Sequence, residues 1–167
     1  ELAKRKEDML KAVPAILPIS NKDLKRTASG YGLRIHPIYK IIKFHAGMDF
    51  TAPTGTDIYA TGDATVKAVV SAKRGLGNHV ILDHGFGYES IYAHMDKANV
   101  RVGQKVSRGD IIGFVGNTGT SVAPHLHYEI KLNGNNVDPV NYYFNDLSPE
   151  EYEEMIEIAS KTGQSFD

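Results

Sequence analysis

From Tyr31 onward, apolar and polar residues alternate in short runs separated by turn formers. Such runs occupy residues 58–60, 64–70, 79–83, 89–93, 105–106 and 111–115. Between them stand Gly55, Gly62, Gly75, Gly77, Gly85, Gly87, Gly103, Gly109, Gly116 and Gly119. Short strands set off by glycine turns every ~8–12 residues predict an antiparallel sheet, sandwich or barrel. Helix-length segments are missing between the runs, which argues against parallel βαβ units. The expected class is mainly β, an antiparallel sheet or sandwich-type domain.

The two ends carry a different pattern. Residues 1–13 are charged and helix-tolerant, with Leu2, Met9, Leu10 and Val13 as apolar contacts, and Pro14 and Pro18 stop the pattern. This reads as the tail of a longer helix or as a linker. Ser148, Pro149 and Glu151 supply a helix N-cap, a first-turn proline and a capping-box carboxylate. Tyr152, Met155, Ile156 and Ala159 follow at helical spacing, and Gly163 closes the helix. The expected division is a helical or linker segment over 1–29, a β domain over 30–146, and a helix with a tail over 147–167.

Composition narrows the function classes. The 167 residues suit one domain, and 41% apolar content can fill its core. A net charge of −1 argues against a nucleic-acid binder, which would carry a basic stripe. No run approaches the ~18 apolar residues of a membrane span. Glu1 is not an initiator methionine, so the lack of a targeting segment is uninformative. Without cysteine, a metal must be held by His, Asp or Glu.

Those residues cluster in three places. Pro124-His125-Leu126-His127-Tyr128-Glu129 reads as a strand, on which His125 and His127 share a face. In His45-Ala46-Gly47-Met48-Asp49-Phe50, extended chain would put His45, Gly47 and Asp49 on one face, with the glycine clearing space between two converging groups. Two imidazoles and a carboxylate suit zinc with an open position for water, and also manganese or iron. In Ser90-Ile91-Tyr92-Ala93-His94-Met95, His94 ends an alternating run with Tyr92 on its face. His36, His79 and His84 read as ordinary buried or exposed histidines.

Taken in order, His45-x-Gly-x-Asp49, Tyr92-x-His94 and His125-x-His127 resemble the lysostaphin/LytM-type zinc endopeptidases of bacterial cell walls. The resemblance runs from about Gly30 to Pro139. It takes in the segment Tyr31-Gly32-Leu33-Arg34-Ile35-His36-Pro37 and the turn Gly116-Asn117-Thr118-Gly119. It implies one zinc ion per chain on His45, Asp49 and His127, with His94 and His125 as the unliganded catalytic pair. His125 would act as general base and His94 as oxyanion stabiliser or proton shuttle, with the two roles exchangeable. Arg34, Asn117 and Thr118 become candidates for substrate binding. Ser121-Val122-Ala123 departs from the Ser-Thr-Gly that relatives often carry before Pro-His-x-His, which bears on groove shape. The implied substrate is peptidoglycan, cut at D,D cross-links of diaminopimelate-type walls or, alternatively, at glycine bridges. The implied place is the cell envelope, in the periplasm or at the surface. A zinc-loaded, non-catalytic regulator of other wall hydrolases is the rival reading, and an upstream segment or regulatory protein is a further possible partner.

Overall fold

The computed structural model describes residues 2–20, 26–29, 32–35, 42–121 and 123–142. Helix α1 (Leu2–Ala12) opens the chain. It stops ahead of Pro14, as a proline pushes the preceding residue out of helical geometry. The guanidinium of Arg108 closes its end, donating from Nη2 to Leu10 O at 2.6 Å and to Val13 O at 2.9 Å. The residues beyond it are no loose linker. Ala15 N donates to Thr61 O and Tyr59 N to Pro18 O, and Leu17 and Ile19 are buried in the main core.

Among the described residues twelve strands follow, and their pairings are antiparallel, as the alternation predicts. β1 (Arg26–Ser29) pairs with β4 (Met48–Thr51), so the stretch expected as helix or linker also supplies a strand. β2 (Gly32–Ile35) and β3 (Ile42–His45) form a separate two-stranded sheet. β5 (Asp57–Tyr59), β6 (Ala64–Val70), β7 (Asn78–Gly85) and β8 (Tyr88–Ala98) come next. β9 (Lys105–Val106), β10 (Ile111–Val115), β11 (His125–Leu132) and β12 (Asn135–Val137) complete them, before a short 3₁₀ turn (Pro139–Tyr142). Ten strands share one sheet with the path β1-β4-β11-β8-β7-β6-β9, while β10 joins β5 to β8 and β12 extends β11. The helix expected near the C-terminus lies outside the described residues.

The centre of this sheet is buried on both faces, and the two faces differ in chemistry. Along β11, Leu126, Tyr128 and Ile130 enter the hydrophobic core, while His125, His127 and Glu129 take the opposite face. On β4, Met48 and Phe50 go to the core and Asp49 goes with the histidines. Register ties the strands together: His127 pairs with Asp49, Leu126 with Phe50 and Tyr128 with Met48. The core side holds by apolar burial, at ~1.5–3 kcal/mol for each fully buried large aliphatic side chain. Tyr92 and Tyr128 stack there with ring centroids 5.3 Å apart. Five buried polar groups (Asp49, His94, His125, His127 and Glu129) sit elsewhere, a costly arrangement unless the polar atoms are satisfied or used.

Candidate metal centre and catalytic groups

The segment around Asp49 departs from the extended chain expected of it. Ala46 and Gly47 break the run, so His45 ends β3 in the small sheet while Asp49 lies in β4 of the large one. Gly47 is needed for another reason than clearance between ligands. A Cβ there would meet Tyr128 O at 2.1 Å and Glu129 Cγ at 2.9 Å, because the chain crosses directly over β11. His45 and Arg34 are placed by backbone only, facing Gly32 and Lys43 across the β2–β3 ribbon.

A second correction concerns His94. Alternation put it on the face of Tyr92, at the end of a strand. Instead β8 runs on to Ala98, and His94 is a bulge residue with φ +58°. Between the pairs Asn78↔Met95 and Val80↔Tyr92, the β7 strand spends one residue and β8 spends two. Such a bulge re-aims a side chain. Tyr92 stays in the core, whereas the His94 ring lies 4.9 Å from that of His125 and 6.0 Å from that of His127.

Each ring is anchored by one nitrogen. His94 Nδ1 lies 2.6 Å from Thr118 O, and His125 Nδ1 lies 2.8 Å from Ala123 O. A carbonyl can only accept, so Nδ1 carries a proton in both rings. His125 Nε2 stands 3.6 Å from Asp49 Oδ1. His127 is held the other way round. Its Nε2 donates to Glu129 Oε2 at 2.8 Å, and its Nδ1 faces Asp49 Oδ1 at 3.0 Å. Burial pushes the Glu129 carboxyl up, but the bond and charge of His127, with Asn136 and Lys131, outweigh it and leave the group below the ordinary carboxylate value.

His127 thus stands between two buried carboxylates, Asp49 and Glu129. An imidazole nitrogen and a carboxylate oxygen facing each other at 3.0 Å are the donor types that a metal such as zinc takes. Metal–ligand bonds of roughly 2.0–2.2 Å span such a pair. Among the described residues, no three His, Cys, Asp or Glu side chains make up a metal-holding group. The expected third ligand, His45, has its side chain outside that set.

The wall beside these rings is the loop over 117–121. Thr118 Oγ1 donates to Met95 O at 2.7 Å and accepts from Asn78 N at 3.1 Å, so its hydroxyl braces β7 and β8. Thr120 N bonds Gly75 O, and a Cβ on Gly77 or Gly119 would collide with the facing backbone. Asn117 Oδ1 accepts from Ser121 Oγ at 2.5 Å, and Ser121 Oγ lies 3.1 Å from His125 Nδ1. The loop thus holds both His94 and His125 by their Nδ1 edges.

Two features, Glu129 and Asn136, had escaped the sequence reading. Glu129 was visible as a residue two beyond His127 on the same strand face, a signal that could have been used. Asn136, which donates to Glu129 Oε1 at 2.9 Å, left no local signature. His84 fits the ordinary buried reading, with both nitrogens on partners: Nδ1 lies 3.1 Å from Asp63 O and Nε2 2.6 Å from Ser90 Oγ. Ser90, Tyr92, Thr61 and Tyr128 continue that chain of hydroxyls through the core. Burial, above all, lowers the His84 pKa to about 4.

One buried face of the antiparallel sheet thus gathers a carboxylate, Asp49, and three imidazoles, His94, His125 and His127. The comparisons make the class specific. The profile of peptidase family M23 matches residues 43–139, and the chain belongs to that family. It is 42% identical over 116 residues to a DD-carboxypeptidase/endopeptidase of Neisseria meningitidis, covering 70% of this chain and 26% of that protein. It is 39% identical over 128 residues to a peptidoglycan DD-endopeptidase of Vibrio cholerae, covering 77% of this chain and 30% of that one. The catalytic domain of lysostaphin from Staphylococcus simulans superposes with a TM-score of 0.65 at 32% identity, over 72% of this chain and 92% of that domain. The chain spans under a third of the length of these two curated relatives.

Proposed function

We propose that the protein is a zinc metalloendopeptidase that hydrolyses peptide cross-links or stem peptides of bacterial peptidoglycan, with D,D bonds of diaminopimelate-type walls as its preferred target. The observation that carries this reading is the buried pair of His127 Nδ1 and Asp49 Oδ1, 3.0 Å apart, beside two rings anchored by Nδ1. The relatives named DD-endopeptidase support the substrate class. His45, Asp49 and His127 are the proposed ligands of one zinc ion, and a cell-envelope location follows from the substrate.

Zinc, when bound, polarises the scissile carbonyl and makes the attacking water acidic. The chain supplies the rest. His125, with Nδ1–H fixed on Ala123 O, takes the water proton at Nε2. His94, fixed on Thr118 O, works at Nε2 on the developing oxyanion and in passing the proton to the leaving amine. Neither ring can rotate away without giving up a buried hydrogen bond. Arg34 is the proposed partner of a substrate carboxylate, and Asn117 and Thr118 are proposed substrate contacts beside the rings, with the Thr118 hydroxyl spent on backbone.

The test is digestion of defined diaminopimelate-type and glycine-bridged dimers, with products read by mass spectrometry. New termini at the D,D bond of the first, absent after chelation and restored by zinc, are expected. Cleavage of the glycine bridge instead, or no cleavage by zinc-loaded protein, contradicts the proposal.

A further inference from the structure

The strand beyond the Asn133-Gly134 turn carries a residue that reaches both halves of the centre. Asn136 lies on β12, opposite Lys131 of β11. Its Nδ2 donates to Glu129 Oε1 at 2.9 Å and to Ala46 O at 3.2 Å. The two hydrogens of one amide nitrogen thus serve two different elements. Glu129 passes the contact on, since its second oxygen holds His127 Nε2 at 2.8 Å. Ala46 belongs to the link between His45 and Asp49, and Gly47 beside it lies on Tyr128 O with no room for a side chain. The path Ala46–Asn136–Glu129–His127–Asp49 therefore closes a ring of contacts around the centre.

We propose that Asn136 is a positioning residue. Through Glu129 it fixes the Nε2–H tautomer of His127, so that Nδ1 is the atom turned toward Asp49, and through Ala46 O it sets the spacing of the link that joins His45 to Asp49. This rests on the metal reading above. The physical reason is that an imidazole with both nitrogens available can sit in two tautomers and two ring orientations, of which one presents Nδ1 to a metal. A carboxylate on Nε2 selects it, and a donor on the far oxygen of that carboxylate stops the carboxylate turning. Neither Asn136 nor Glu129 needs to touch substrate for this.

The experiment measures zinc affinity by competition with a chromophoric chelator, together with the imidazole ¹⁵N shifts of His127. The parent should show His127 protonated at Nε2. Glu129→Ala should weaken zinc binding roughly 10–100-fold, the range for loss of an outer partner of a ligand, and give mixed tautomers. Asn136→Ala should weaken it about tenfold. The double variant should bind as Glu129→Ala does, apart from the smaller Ala46 contribution, since Asn136 acts mainly through Glu129. Glu129→Gln, which keeps an acceptor for Nε2–H but faces Asn136 with an amide, should fall between parent and Glu129→Ala, and it carries the test if the alanine variant does not fold. Parent-like affinity and ¹⁵N shifts in Asn136→Ala and Glu129→Gln, or fully additive losses in the double variant, would overturn the inference. His127→Ala separates the two levels. If it keeps zinc, the metal reading fails; if it loses zinc while the Asn136 and Glu129 variants keep parent affinity, the positioning role alone fails.

Discussion

His84 and the triad of His94, His125 and His127 are all buried in the same sheet, yet their surroundings assign them opposite work. His84 has both ring nitrogens on fixed partners, Asp63 O and Ser90 Oγ, and continues into a closed chain of hydroxyls. It is held neutral, with a pKa of about 4. The other three gather on the Asp49 face, with His94 and His125 held through Nδ1 by backbone carbonyls and His127 set between the Asp49 and Glu129 carboxylates. Burial alone therefore does not mark a functional imidazole. What sets these three apart is that they gather beside a buried carboxylate, Asp49, whereas the partners of His84 are a backbone carbonyl and a hydroxyl.

The largest effects should come from breaking the Asp49 face. Asp49→Ala or His127→Ala should remove nearly all bound zinc and activity, because three protein ligands leave no redundancy. Elemental analysis of the purified variants checks this. His94→Ala and His125→Ala should each lower turnover ~10²–10⁴-fold, the usual worth of a proton-transfer group, in a steady-state assay on a cross-linked dimer.

The His84 region should respond in stability instead. Tyr92→Phe strands polar partners inside the core and should cost about 1–3 kcal/mol in denaturant unfolding, with zinc content unchanged. A pH series sharpens the contrast. His84 has a folded pKa of about 4 against an ordinary 6.5, so the unfolded chain binds the proton first. Its contribution is fully present above pH ~6.5 and is lost as pH falls toward 4, up to about 3 kcal/mol in all. Unfolding midpoints of parent and His84→Gln should converge across that window. The smallest effect expected is on specificity: Arg34→Ala should reduce kcat/KM on a carboxylate-bearing stem by an amount worth roughly 1.5–3 kcal/mol.

Much of this was readable from residue order because strands obey a period of two. That rule put His125 and His127 on one face of a strand, as the structure has them. It failed where the backbone leaves the period. The break at Ala46-Gly47 puts His45 and Asp49 in different sheets, and the positive φ of His94 moves its ring from the Tyr92 face to the His127 face. Both are backbone events with no side-chain signature. Asn136 was missed for a different reason: its partner Ala46 is distant in sequence, and only the fold brings them together.

The claim at the centre of this account is the division of labour on the Asp49 face, where His127 holds metal and His125 moves protons. Zinc content per chain, measured on parent, His125→Ala and His127→Ala prepared identically, tests it most directly. The expected result is about one zinc in the parent and in His125→Ala, with turnover lost in the latter, and close to none in His127→Ala. Equal zinc in His127→Ala and the parent, or loss of zinc from His125→Ala alone, would contradict it.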